Sequence, residues 1–369
     1  MRPASEGEKA RLNETFAALC RIPSPFGHEA EIAARVTREL EAMGLVVEPD
    51  ARGNLLARIR GRSDRTVLLC AHLDTVEVTG AIEPVVVDGG WENAHPTILG
   101  ADNKAALAVF LEVARRTTVE GTPVGIELLF TVEEEDALAG AKAFDASSLR
   151  ADFGYVFDHA TPIGEVIVAA PTYYRIAAEF HGRSAHAGIR PEAGRSAILA
   201  AAHAIGAMPH GRIDEETTAN VGSIHGGVGS TNVVPERCRL LAEARSLDAE
   251  RVEDVVARMI DAVQDGAAAA ECDVDVVCEK RFEGYRQRST AAAIVAAEAA
   301  LRACGYEPTR VVTGGGSDAN ALAAQGFECV NLANGTEHNH EPTERVSVAA
   351  LEGMLDVGLA LLDEAAALP

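Results

Sequence analysis

Ile126-Glu127-Leu128-Leu129-Phe130-Thr131-Val132 runs straight into Glu133-Glu134-Glu135. The run is mostly apolar and β-rich, and it ends in three consecutive carboxylates. Like charges gathered at a strand end repel one another unless a cation sits among them. The arrangement recurs twice. Val67-Leu68-Leu69-Cys70 leads to His72-Leu73-Asp74, and Phe153-Gly154-Tyr155-Val156-Phe157 leads to Asp158-His159. In open α/β sheets, ligands bind outside the carboxyl ends of the strands. Strands that end this way predict one shared site, with a divalent metal as the natural cation to hold it.

Helical periodicity alternates with these runs. Leu12, Phe16 and Leu19 mark a helix over 8–20, and Ile32, Val36, Leu40 and Met43 mark another that Gly44 stops. Short strands are expected over 46–48, 54–59, 66–71 and 82–87. Leu107, Phe110, Leu111 and Ala114 share one face of a helix over 103–116, with Asp102 placed as its N-cap. A further helix is expected from about Leu138. Strands alternating with helices imply a mainly parallel, covered sheet. Near Pro171 the pattern changes to longer strands (173–180, 218–224, 237–245) with helices over 194–207 and 249–270. The first pattern resumes near Gly284 and ends in a helix from Ser347 that carries Leu351, Leu355, Leu359 and Leu362. The expected fold is α/β, a mainly parallel central sheet covered by helices, with an inserted α+β module. The boundaries fall at 1–171, 172–282 and 283–369.

Composition narrows the function. A net charge of −23 repels nucleic acid and anionic membranes as partners. The seven cysteines are scattered without a C-x-x-C pair, which fits a reducing cytoplasm rather than a disulfide framework. The charged stretch 1–11 has no apolar segment of the secretory type. No apolar run approaches the ~20 residues of a membrane span.

Singly, each acidic or histidine cluster has a commonplace explanation. Asp102 serves as a helix cap, Glu133 to Glu135 as a solvated helix start favoured by the dipole, and His340 as a loop histidine. Together they form a set of His and carboxylate ligands without Cys, the donor set of zinc, cobalt or manganese. Hydrolases with two metals hold the ions ~3.5–4 Å apart, and a carboxylate can bridge them. Such a site also needs a free carboxylate as general base. Glu134 and Glu135 are adjacent and can divide the roles of base and ligand.

These motifs resemble those of the co-catalytic zinc exopeptidases, the family of peptidase T, glutamate carboxypeptidase and succinyl-diaminopimelate desuccinylase. The likeness is strongest to the peptidase T-like, tripeptidase-like members and runs over nearly the whole chain. Ala71-His72-Leu73-Asp74-Thr75 is similar to the motif whose His binds the first metal and whose Asp orients it. Leu99-Gly100-Ala101-Asp102-Asn103 resembles the motif whose first Asp bridges both metals, with Asn103 where relatives often carry a second Asp. The segment 131–141 resembles the Glu-Glu motif, which makes Glu134 the base and Glu135 a ligand of the second metal. Glu133-Glu134 fits the same roles one residue earlier, while Gly140-Ala141 favours the later register. Ala137 stands where the family usually has Gly. Asp158 resembles the last ligand of the first metal, where Asp is the aminopeptidase and dipeptidase habit and Glu the carboxypeptidase and deacylase habit. His340, four residues before Glu344, resembles the His that completes the second metal, with His338 as the competing choice.

The inserted module matches too. His186 in Gly182-Arg183-Ser184-Ala185-His186-Ala187-Gly188 resembles the lid histidine that reaches a partner subunit's active site. Asn232 and Arg245 resemble residues that hold the substrate's carboxylate, a role that suits the guanidinium fork. The resemblance implies a cytoplasmic, homodimeric enzyme with two divalent ions, zinc first and cobalt or manganese as alternatives. It would cleave short peptides from the N-terminus. The alternative is an N-acyl-amino-acid amidohydrolase or carboxypeptidase of the same family.

Overall fold

The computed structural model describes residues 2–369. The chain forms two compact units. One comprises the chain through 169 together with 286–369, and the other is 170–285.

The first unit is built on a central sheet. Its strands lie in the order Val47–Pro49, Leu55–Ile59, Gly125–Thr131, Thr66–His72, Phe153–His159, Cys329–Ala333, Glu165–Ala170. The middle four pair in parallel, the strands flanking them pair antiparallel, and Thr309–Val312 joins Glu165–Ala170 in parallel. Gly125–Thr131 is buried along its whole length, and Thr66–His72 at all but its first residue. Continuous burial is why these strands read as unbroken apolar runs rather than as alternation. The helix Ala101–Glu120 packs against the sheet through Leu107, Phe110, Leu111 and Ala114, all fully buried. Glu6–Cys20, Ala30–Ala42 and the last helix, Val348–Ala367, pack on it in turn. Register sets the ends of the strands level, with His72 opposite Thr131. The segments that follow these two strands, and the end of Phe153–His159, therefore share one rim of the sheet.

The second unit is a five-stranded antiparallel sheet in the order Gly211–Arg212, Thr217–Gly226, Arg237–Ser246, Thr172–His181, Asp273–Phe282. Ile176, Ala178, Phe180, Leu240, Ala242 and Ala244 alternate into a core of their own beneath the helices Ala197–Ala207 and Ala249–Ala269. The helices cross closely at Gly266, where a Cβ would lie 2.6 Å from the Ala200 carbonyl oxygen.

The structure departs from the sequence expectations at several places, four of which bear on the argument. The strands Glu165–Ala170 and Asp273–Phe282 were not anticipated. The helix after Leu138 is only Ala139–Ala143. Asp102 is not the N-cap of its helix. Gly100 holds that position in the left-handed region (φ 77°), and Asp102 itself lies off helical geometry with ψ 105°. Its carboxylate turns instead towards two histidines.

Candidate metal centre

Four carboxylates and two histidines converge on the rim of the central sheet. His72, the last residue of its strand, is 1% exposed. Its Nε2 lies 3.2 Å from Asp102 Oδ1 and 3.4 Å from Asp158 Oδ1. His340 Nε2 lies 3.3 Å from Asp102 Oδ2 and 2.9 Å from Glu135 Oε1. Asp102 thus offers one oxygen to each histidine. The ligand-type atoms fall into two overlapping sets that could each hold a metal ion, His72 with Glu134 and Asp158, and His72 with Asp102 and Glu135. Within each set the atoms lie within 4.8 Å of one another.

The electrostatics of this cluster call for a cation. Among the described residues, no lysine or arginine pairs with Asp102, Glu134, Glu135 or Asp158. Burial and the charge of Asp158 push the Glu134 carboxyl well above the usual range, and burial and Asp102 do the same to Asp158. Burial disfavours a charged His72, but the carboxylates of Asp158, Asp102 and Asp74 outweigh it and raise the imidazole well above its ordinary value. The carboxylates of Asp102 and Glu135 beside it raise His340 to about 10. Glu135 Oε1 is buried and lacks a partner of hydrogen-bond geometry, although His340 Nε2 is close by. Nitrogen and oxygen donors with no thiolate suit zinc, cobalt or manganese.

Three further carboxylates hold the loops that carry these groups. Asp74 Oδ1 and Oδ2 accept from the Glu134 and Glu135 amides, each at 3.0 Å. Asp74 also meets His72 Nδ1, at 3.0 Å through its backbone carbonyl and 3.4 Å through its carboxylate. It therefore ties the histidine to the Glu-Glu segment. Glu344 accepts from the Gly100 and Asp102 amides. Glu29 accepts from the amides of Gly27 and Glu133. Buried Asn54 closes the Glu-Glu loop. It accepts from Val132 N at 3.0 Å and donates to the Gly140 carbonyl at 2.9 Å. Gly140 must be bare, since a Cβ there would lie 2.0 Å from the Val132 carbonyl oxygen. Sequence reasoning gave Glu29, Asn54 and Glu344 no role. They act on backbone amides and carbonyls, which leave no side-chain pattern to read.

The competing residues lie elsewhere. The Glu133 side chain pairs with Arg52 and takes no part in the cluster. His338 is largely exposed and faces Glu341. In the second unit, His186 is exposed on a loop paired to Val233, and Ala187 N bonds the Asn232 carbonyl at 2.9 Å. His186 and Asn232 are neighbours there. Arg245 bonds Glu243 and stacks 4.2 Å from the Tyr173 ring.

Comparison with known proteins agrees with this architecture. The family described as Peptidase dimerisation domain matches residues 173–271, and Peptidase family M28 matches residues 54–166. YqjE of Bacillus subtilis is 38% identical over 366 residues, 96% of this chain and 98% of that protein. The crystal structure of aminopeptidase PepT from Bacillus cereus shares 37% identity over 97% of this chain and 99% of that one, with a TM-score of 0.87. A tripeptidase from Staphylococcus aureus shares 34% identity over 98% of this chain and 99% of that one, with a TM-score of 0.92. The sheet with its acidic rim, the inserted module and these full-length likenesses together establish that the chain belongs to the peptidase T-like branch of the M20 metallopeptidase family.

Proposed function

We propose that the protein is a two-metal aminopeptidase that removes the N-terminal residue of short peptides, tripeptides foremost. The observation that carries this reading is Asp102, with one oxygen towards His72 and the other towards His340. His72, Asp102 and Asp158 would hold one divalent ion, and Asp102, Glu135 and His340 the other, with zinc as the first candidate. When bound, such ions polarise the scissile carbonyl and lower the pKa of water towards ~7. Glu134 stands beside this set yet pairs with neither histidine, so it is free to move protons. It takes the proton of the attacking water at its carboxylate and delivers it to the departing amine. Burial at 9% exposure keeps that carboxylate away from bulk water, where a proton would be lost. Asp74 fixes the backbone beneath Glu134 and Glu135, so base and ligand stay in register. Asn232 and Arg245 of the inserted unit would hold the peptide's carboxylate, and His186 the developing oxyanion. The inserted unit would also form the dimer, in keeping with the match to the dimerisation domain. Seven free cysteines suit a reducing cytoplasm.

The test is a substrate panel with zinc, cobalt or manganese added. Tripeptides with a free N-terminus should release their first residue, and acetylated tripeptides should not. N-acyl amino acids turned over in preference to free tripeptides would replace this reading with the amidohydrolase one.

A further inference from the structure

We propose that Glu344 is a positioning residue that sets the metal affinity of this site, by locking the Asp102 backbone to the loop that carries His340. The inference rests on the two-metal reading above.

Glu344 is 2% exposed and makes no ion pair among the described residues. Burying a carboxylate in this way is costly unless its oxygens find donors. Both do, and both donors are main-chain. Gly100 N donates to Oε2 at 2.7 Å, and Asp102 N donates to Oε1 at 2.9 Å. The two amides flank Ala101 at the start of the helix Ala101–Glu120, among the first amides that a helix leaves without internal partners. No side chain caps this helix locally, because Gly100 has none and Asp102 points away. Glu344 is a cap delivered from 242 residues along the chain.

The geometry of that cap matters to the site. Asp102 departs from helical backbone angles, and its carboxylate spans the gap between His72 and His340. A main chain in that conformation needs a fixed acceptor for its amide, or the carboxylate swings. Glu344 lies four residues after His340, and its own amide bonds the Glu341 carbonyl at 3.0 Å. One short loop thus presents a histidine of the cluster and the clamp on the carboxylate that histidine faces. Groups that orient metal ligands in this manner typically change metal affinity by about 10- to 100-fold when removed. Because Asp102 faces both histidines, both ions should feel the loss.

Glu344→Gln tests this at nearly constant size. Its amide nitrogen would face one of the two N–H donors, so one clamp bond becomes a repulsion. Zinc affinity is measured on folded protein by competition with a chromogenic chelator. The visible spectrum of the cobalt-loaded protein reports ligand geometry, and melting of the metal-free protein reports the fold. The expected result is a loss of roughly 10- to 100-fold in affinity for both ions, with an altered cobalt spectrum. Wild-type affinity and spectrum in Glu344→Gln, with only a lower metal-free melting temperature, would overturn the proposal and leave Glu344 a plain structural cap. If Glu344→Gln does not fold, Glu344→Asp keeps the charge but is one methylene too short to reach both amides. It should lose affinity in the same direction, and unchanged affinity would again overturn the proposal. Wild-type protein that binds no metal at all would instead sink the two-metal reading itself.

Discussion

Glu134 and Glu135 are adjacent in sequence and differ in what they face. Glu135 Oε1 lies 2.9 Å from His340 Nε2, while Glu134 approaches no histidine closely enough to pair. Their amides are held alike by the two oxygens of Asp74, so the difference lies in the side chains alone. Replacing either by glutamine should therefore separate two functions. Glu134→Gln is expected to retain both metals and its melting temperature while kcat falls by ~10²-fold or more, the usual contribution of a general base. Glu135→Gln is expected to lose about one ion per chain after desalting, with activity recovered in part by excess metal. Metal analysis beside steady-state kinetics on the two variants decides it. Metal loss in Glu134→Gln with retention in Glu135→Gln would exchange the roles.

The Glu-Glu loop is the element on which this separation depends. Three of its residues sit in the left-handed region, Glu133, Ala137 and Leu138, at φ 52°, 55° and 64°. That conformation is uncomfortable for side chains, which gives a physical reason for the family's usual Gly where Ala137 stands. Asn54 holds the strained loop shut at Val132 and Gly140. Asn54→Ala leaves the buried Val132 N–H unpaired and takes one of two donors from the Gly140 carbonyl, which keeps the Phe144 amide, so it should cost about 1–3 kcal/mol in denaturant unfolding. It should also lower kcat, since Glu134 and Glu135 lose their frame. A variant with full stability and full activity would show that the loop closes without this staple. The central strands and the His and carboxylate side chains clustered at their ends were legible in the sequence because full burial forces continuous apolar runs, and the polar groups follow at once. Asp273–Phe282 was not, because an edge strand is mostly exposed and carries Asp273, Asp275, Glu279, Lys280 and Arg281 among its valines. The cap role, the commonplace alternative for Asp102 to its place in the acidic cluster, fails for a related reason. The residue that does cap those amides, Glu344, lies too far along the chain for any local pattern to reveal.

At the scale of the whole molecule, the first unit is interrupted by the second, and every residue of the acidic cluster belongs to the first. His186, Asn232 and Arg245 belong to the second. Residues proposed to touch substrate are thus divided between two separately cored bodies. A dimer built on the inserted unit would allow His186 to serve the site of the partner chain. That assignment makes a sharp prediction. His186→Ala and Glu134→Gln should each be nearly inactive as pure homodimers, the first for want of an oxyanion donor and the second for want of a base. Co-expressed with different affinity tags and purified together, they should regain activity. In a mixed dimer, one site combines intact Glu134 from the His186→Ala chain with intact His186 from the other, and the second site lacks both. Random pairing makes about half the dimers mixed with one good site in two, so recovery should approach about a quarter of wild type. Dimers isolated through both tags should reach about half. Mixed dimers that form and stay inactive would place His186 in the service of its own chain or outside the reaction altogether.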